Sequence, residues 1–323
     1  MRRLLVNDQL TSIPGTRTFW HDLQGWFGCE FVGGDYATLA ETADAQAEGA
    51  SLIIRNATYF GPLKASERVP TISLLQDIIS EGPQREMQEA VLASSTVVVS
   101  NSAFTAERYS APIGMFQMPR GPVPPLKSWI IPLPVDFDLF EIGNAMGLQQ
   151  ALALPDGCVL WIGACQGAAG MVKGWDIFLQ VVRANPDIPF VGVFKDQPPN
   201  YCPPNMRMFS RLTHADLVKV IGACRVGLCT SRMESQHLAG IEMGACGLPM
   251  VAPTVGTYWK REEMPGILVL DPTVEYYSAA IRAALQKPGD PETARGYWHK
   301  GFDREVIKAA WARLIEEVEN EKA

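Results

Sequence analysis

Residues 229–258 read CTSRMESQHLAGIEMGACGLPMVAPTVGTY. The run entering this stretch, VGLCTS (226–231), is apolar and ends in small polar residues, as a buried strand does. ESQHLAGIEMGACG (234–247) then reads as a helix stopping at Gly247, because glycine tolerates the left-handed backbone of a helix C-terminus. LPMVAPTVG (248–256) reads as the next strand, leaving into a loop. Strand, helix and strand in so short a span make a crossover between parallel strands. Where strand gives way to helix, the first helical N–H groups lack intrahelical partners and bind phosphate without a positive side chain. Glu234 precedes the helix and Glu242 lies within it, eight positions on. A carboxylate is of little use to a phosphate but accepts hydrogen bonds from hydroxyls. The pattern therefore suits a diphosphate flanked by two hydroxyl-bearing rings, a ribose and a transferable hexose.

The same alternation runs outward in both directions. In the first half, LLV (4–6), SLIIRN (51–56), TISLLQD (71–77) and TVVVSNS (96–102) read as strands, and SIPGTRTFWHDLQGWFG (12–28) as a Pro-Gly turn into a helix. PRGPVPPLKSWIIPLP (119–134) reads as a loop and a strand approaching a domain boundary. The second half restarts at CVLWIGA (158–164). KGWDIFLQVVRANP (173–186) is a helix with its apolar face at Trp175, Phe178, Leu179 and Val182, and PFVGVFK (189–195) a strand. LTHADLVKVIGAC (212–224) is a helix capped by Thr213, ILVLD (267–271) a strand and EYYSAAIRAALQK (275–287) a helix. From Ala294 onward one long amphipathic helix is expected, with Trp298, Ile307, Trp311, Leu314 and Val318 inward. The fold class expected is α/β, with two Rossmann-like parallel-sheet domains facing across a cleft. They span 1–140 and 141–293, and 294–323 packs back toward the first. Ligand groups collect at the carboxyl ends of such strands, and pockets favour domain joints.

Composition narrows the classes. A chain of 323 residues suits two domains of about 150 residues. It is 47% apolar and 20% charged, which excludes a disordered or fibrous protein. The formal charge is −7, and residues 1–130 carry 10 Lys/Arg against 13 Asp/Glu, a balance of −3. A nucleic-acid partner would need a local basic patch. Seven cysteines without a CxxC pair argue against a disulfide framework or a zinc site and for reduced, cytoplasmic thiols. No apolar run approaches a transmembrane segment, and MRRLLVNDQL reads as a first strand, not a signal peptide.

In order and spacing, the central stretch resembles the Glu-(seven residues)-Glu signature of the large retaining GT-B glycosyltransferase family, glycosyltransferases group 1, which includes sucrose synthases and mannosyltransferases. GIEMGACGLPMVAPTVGTY is similar to that family's EAMA-G-PVVA run, and WIGACQGAAGMVKGWD (161–176) to its glycine loop before Lys-Gly. VVVSNSAFTAERY (97–109) resembles the segment closing the first sheet, and IIPLPVDFDLF (130–140) the run at the domain junction. The similarity spans roughly residues 70 to 320 well and 1 to 70 weakly.

The resemblance implies a GT-B fold, with an acceptor-side first domain and a nucleotide-sugar-binding second one. It implies a retaining hexosyltransferase that takes a UDP- or GDP-sugar as co-substrate, with no permanently bound cofactor and no metal. Glu234 would contact the sugar, Glu242 the ribose and Lys173 the diphosphate, with Gly163, His237 and Leu238 lining the donor. Gln76 and Asp77 would meet sugar or acceptor at the end of their strand, and Arg17 would overhang the diphosphate. Departures are Ala164, where the family usually has Arg, Gln76, where it often has His, and Leu133-Pro134 for the junction's Asn-Gly. Arg232 or Arg17 is the expected replacement cation. His21, His214 and His299 read as structural. The acceptor would be a glycan, a small molecule or modified DNA. Two alternatives remain at this stage. One is a phage-type DNA glycosyltransferase acting on a hydroxymethylated pyrimidine, the other a non-catalytic nucleotide-sugar-binding protein of the same fold.

Overall fold

The structure is a computed structural model that describes residues 2–7, 14–35, 37–58, 60–77, 83–110, 127–143 and 145–321. The chain forms two compact units, 1–134 with 305–323, and 135–304.

The first unit holds β1 (Arg3–Asn7), α1 (Pro14–Phe27), β2 (Glu30–Gly33), α2 (Leu39–Gln46), β3 (Leu52–Asn56), β4 (Thr71–Leu75), α3 (Pro83–Ala93), β5 (Val97–Ser100), α4 (Ala103–Ser110) and β6 (Ser128–Ile130). Its strands are all parallel, in the order β2-β1-β3-β4-β5-β6. Every residue of β3 and β4 is buried, as a sheet covered on both faces demands. That burial includes Arg55, whose guanidinium donates to the carbonyls of Asn56, Phe60 and Gly61 and lies 4.0 Å over the Phe60 ring. Arg55 thus pins the loop leaving β3.

The second unit holds α5 (Ala145–Leu152), β7 (Val159–Gly163), α6 (Gly167–Val172), α7 (Trp175–Ala184), β8 (Phe190–Phe194), β9 (Met206–Ser210), α8 (His214–Gly222), β10 (Val226–Leu228), α9 (Leu238–Ala245), β11 (Met250–Pro253), β12 (Gly266–Val269), α10 (Val274–Gln286) and α11 (Pro291–Phe302). The sheet is again parallel, in the order β12-β11-β10-β7-β8-β9. Alternation along β7 splits its side chains between two cores. Val159 and Trp161 join Phe178, Phe190 and Phe194 on one face, where Trp161 stacks on Phe178 at 4.9 Å and 9°. Leu160 and Ile162 join Val191, Ile241, Met243 and Trp298 on the other.

Several expected boundaries move. The first unit ends at Pro134, not at 140, and the part of the proline-rich stretch from 119 to 126 lies outside the described residues. The single helix expected from Ala294 breaks at Asp303, whose backbone is extended (φ −64°, ψ 146°). Trp298 of α11 therefore stays in the second unit's core, whereas α12 (Arg304–Asn320) belongs to the first unit from Glu305 on. There Trp311 meets Phe19 of α1 at 5.9 Å, and Glu319 takes a bidentate pair from Arg3 at 2.9 and 2.8 Å. No helix among the described residues is long and apolar enough to cross a membrane.

Candidate functional site

The parallel order β10-β7-β8 lays three strand ends side by side at the carboxyl edge of the second sheet. β7 runs into a glycine loop and the short α6, whose C-cap is Lys173. β10 runs into the segment 229–237 that carries Glu234 and ends at His237, the N-cap of α9. Thr230 ties the two loops together. Its hydroxyl reaches the carbonyls of Lys173 and Gly174 at 3.2 and 3.0 Å and lies 3.0 Å from the Trp161 indole nitrogen. Gly174 has a left-handed backbone (φ 65°), and a Cβ there would lie 1.9 Å from the Thr230 carbonyl oxygen. Only glycine permits that approach.

This tie brings together two residues 61 positions apart. The Lys173 ammonium donates to both Glu234 carboxylate oxygens, at 2.7 and 2.9 Å, and the Ser231 hydroxyl donates to the first at 2.7 Å. Glu234 is 6% exposed at its side chain and Lys173 28%, so the pair is half-sunk at the rim. Burial pushes the Glu234 carboxyl up, but the Lys173 charge and the hydrogen bonds outweigh it, and its pKa is held below the ordinary carboxylate value. Charge-assisted pairs of this kind are short and directional.

His237 is buried, and burial pulls its pKa down to about 4, so the ring is neutral at pH 7. Its Nδ1 lies 2.7 Å from the Tyr258 hydroxyl. One ring nitrogen is thereby committed to holding the start of α9. Gly240 makes room for this: a Cβ there would fall 1.7 Å from the Tyr258 hydroxyl and 2.5 Å from His237 Nδ1. Glu242, midway along α9, is half-buried, and burial raises its pKa despite the opposing charges of Lys195 and His214.

Other expected site residues fall less simply. Gly163 ends β7, and a Cβ there would strike the Trp161 ring at 2.6 Å, so indole packing alone requires glycine. The Leu238 N–H is not left over, because it donates to the Gln236 carbonyl at 3.1 Å. Arg232 is not a spare cation. It holds Asp176 in a bidentate pair at 2.7 and 2.7 Å and also reaches the Met171 carbonyl. Gln76 and Asp77 follow β4 in the first unit. Gln76 is buried with its Nε2 unpartnered, and the Asp77 carbonyl accepts from Gln88 at 3.2 Å. The Arg17 side chain lies outside the described residues.

Sequence reasoning missed Ser231, Tyr258, Lys195 and Asp196. Lys195 follows the last residue of β8, a position that the strand-end rule singles out. Cys229, Glu234 and His237 place potential metal-ligand atoms within 4.8 Å of one another. A cation bound there would have to displace the Lys173 ammonium from Glu234 and the proton of a thiol that burial holds up at about 12.

The Anabaena protein HepE, solved in complex with UDP, superposes with a TM-score of 0.76 at 16% identity, over 98% of this chain and 100% of that one. Sucrose-phosphate synthase from Thermosynechococcus elongatus does so with a TM-score of 0.73 at 15% identity, over 98% and 99%. The fold is GT-B. In sequence, this GT-B chain is 27% identical over 246 residues to a D-inositol 3-phosphate glycosyltransferase of Segniliparus rotundus, covering 68% of this chain. It spans 51% of that relative's length. No protein-family model matches the chain.

Proposed function

We propose that the chain is a glycosyltransferase that moves a hexose from a nucleoside-diphosphate sugar to an acceptor hydroxyl with retention at the anomeric carbon. The carrying observation is the Lys173–Glu234 pair at adjacent strand ends, with Glu242 on the helix that follows. Support comes from the sequence relative named a glycosyltransferase and from HepE, which was solved with UDP and with UDP-glucose.

In this assignment the second unit holds the donor. Lys173 lies against the diphosphate, where negative charge grows as the sugar–oxygen bond breaks, and electrostatic stabilisation of that charge lowers the barrier. Glu234 accepts hydrogen bonds from sugar hydroxyls while keeping its contact to Lys173, so one ion pair spans the scissile end of the donor. Glu242 accepts from the ribose. The neutral His237 keeps the start of α9 in place through Tyr258 and adds no charge of its own. In the first unit, the unpartnered Nε2 of Gln76 is the group assigned to sugar or acceptor. The acceptor class proposed is a glycan or a small molecule.

A thermal-shift panel of UDP-, GDP-, ADP- and dTDP-sugars should show selective stabilisation by one base. With that donor, E234A should lower kcat by about 100-fold or more, and NMR of the product should show retained anomeric configuration. An inverted product refutes retention. Donor binding without transfer to any acceptor or water makes the chain a binding protein.

A further inference from the structure

A sugar nucleotide brings about two negative charges on its diphosphate, and the residues assigned to it do not balance them. Glu234 is ionised and neutralised by Lys173, and His237 is neutral. Glu242 adds further negative character wherever it ionises. The main chain of the glycine loop offers little relief. Asp196 already takes the N–H groups of Cys165 and Gln166 in the glycine loop, at 3.0 and 2.9 Å. Arg232 is committed to Asp176.

Among the described residues, Lys195 is a cation on this edge that takes no ion pair and stands beside the strand that leads to Lys173. Lys195 directly follows Phe194, whose register partner across the sheet is Gly163, and its N–H donates to the Gly163 carbonyl at 3.1 Å. It therefore stands on the loop next to the one that carries Lys173. Its side chain is exposed, no carboxylate among the described residues pairs with it, and Asp196 beside it is occupied by the glycine loop. Its charge reaches both His237, at the start of α9, and Glu242, within α9, and the Lys173 charge also reaches His237. The two lysines thus stand on the chain segments that leave adjoining strands, and both charges bear on His237.

We infer that Lys195 is the second cation of the donor site and binds an oxygen of the nucleoside diphosphate, acting together with Lys173. The inference rests on the donor site proposed above. It makes Lys195 a phosphate ligand, distinct from residues that recognise the base or ribose. It also accounts for how position 164, just after β7, can be alanine and not a cation.

Titration of the intact chain with UDP, UMP and uridine, or the guanine series if GDP binds better, tests this. K195A should weaken the diphosphate on the order of 10- to 100-fold, weaken the monophosphate less and leave the nucleoside unchanged. K195R should restore most of the loss, and the salt dependence of diphosphate binding should flatten in K195A. If K195A binds the diphosphate within about twofold of the unaltered chain, the inference about Lys195 is wrong and the donor site stands. An equal loss for diphosphate and nucleoside also overturns it, because that marks a role in base contact or folding. If the unaltered chain binds no nucleoside diphosphate at all, the donor site and this inference fall together.

Discussion

Burial acts on His237 and Glu242 in opposite directions on the pKa scale but toward the same end, because it disfavours charge on both. For His237 the folded value of about 4 lies below the ordinary 6.5, so between those limits the unfolded chain binds a proton that the folded chain refuses. The stability contributed by the neutral ring is complete above pH 6.5 and is lost as pH falls toward 4, by about 3 kcal/mol at the limit. Thermal melts from pH 7 to 4 should show that fall, and H237Q should flatten it. An equal slope in H237Q would rule out His237 as its source. Glu242 has the reverse sign. A carboxyl with a raised pKa costs stability once ionised, so E242Q should raise the melting temperature of the ligand-free chain by a few degrees at pH 7 while weakening nucleoside binding. If E242Q gains stability and keeps full affinity, the ribose role is lost.

At the scale of elements, α9 depends on how closely its neighbours approach. G240A should destabilise the fold by about 2–3 kcal/mol, because the new Cβ meets the Tyr258 hydroxyl at 1.7 Å. Adding Y258F should recover part of that loss, and strict additivity in the double variant would exclude the contact as the cause. At the candidate site the resemblance singled out Glu234, Glu242 and Lys173, and the pairing of Lys173 with Glu234 across 61 positions came only from the structure. The αβ alternation was legible in the sequence, because buried parallel strands are continuous apolar runs and their ends are polar. β2 and β9 were not. Both are edge strands, and EFVG and MRMFS expose or half-expose most positions, so neither shows such a run. Nor could Arg232 be excluded as a free cation before Asp176 was seen beside it, since that pair joins residues 56 positions apart. Tyr258 was hidden for the same reason: its bond to His237 crosses from one loop to another.

At the scale of the whole molecule, the two units should melt separately in calorimetry. W311A removes a fully buried indole from the first unit and should cost about 3–5 kcal/mol there. A nucleoside diphosphate should raise the other transition, and a ligand that shifts both equally would show the units to be one cooperative body. The first unit is assembled from two distant stretches, and Arg3 of its first strand is held by Glu319 of its last helix. During synthesis, residues 135–304 can settle as soon as they emerge, since that unit is one contiguous stretch. The earlier-made sheet keeps the Phe19 flank of α1 uncovered until α12 has emerged. Nascent chains stalled before residue 305 should therefore recruit chaperones through the N-terminal half, although that half is synthesised first.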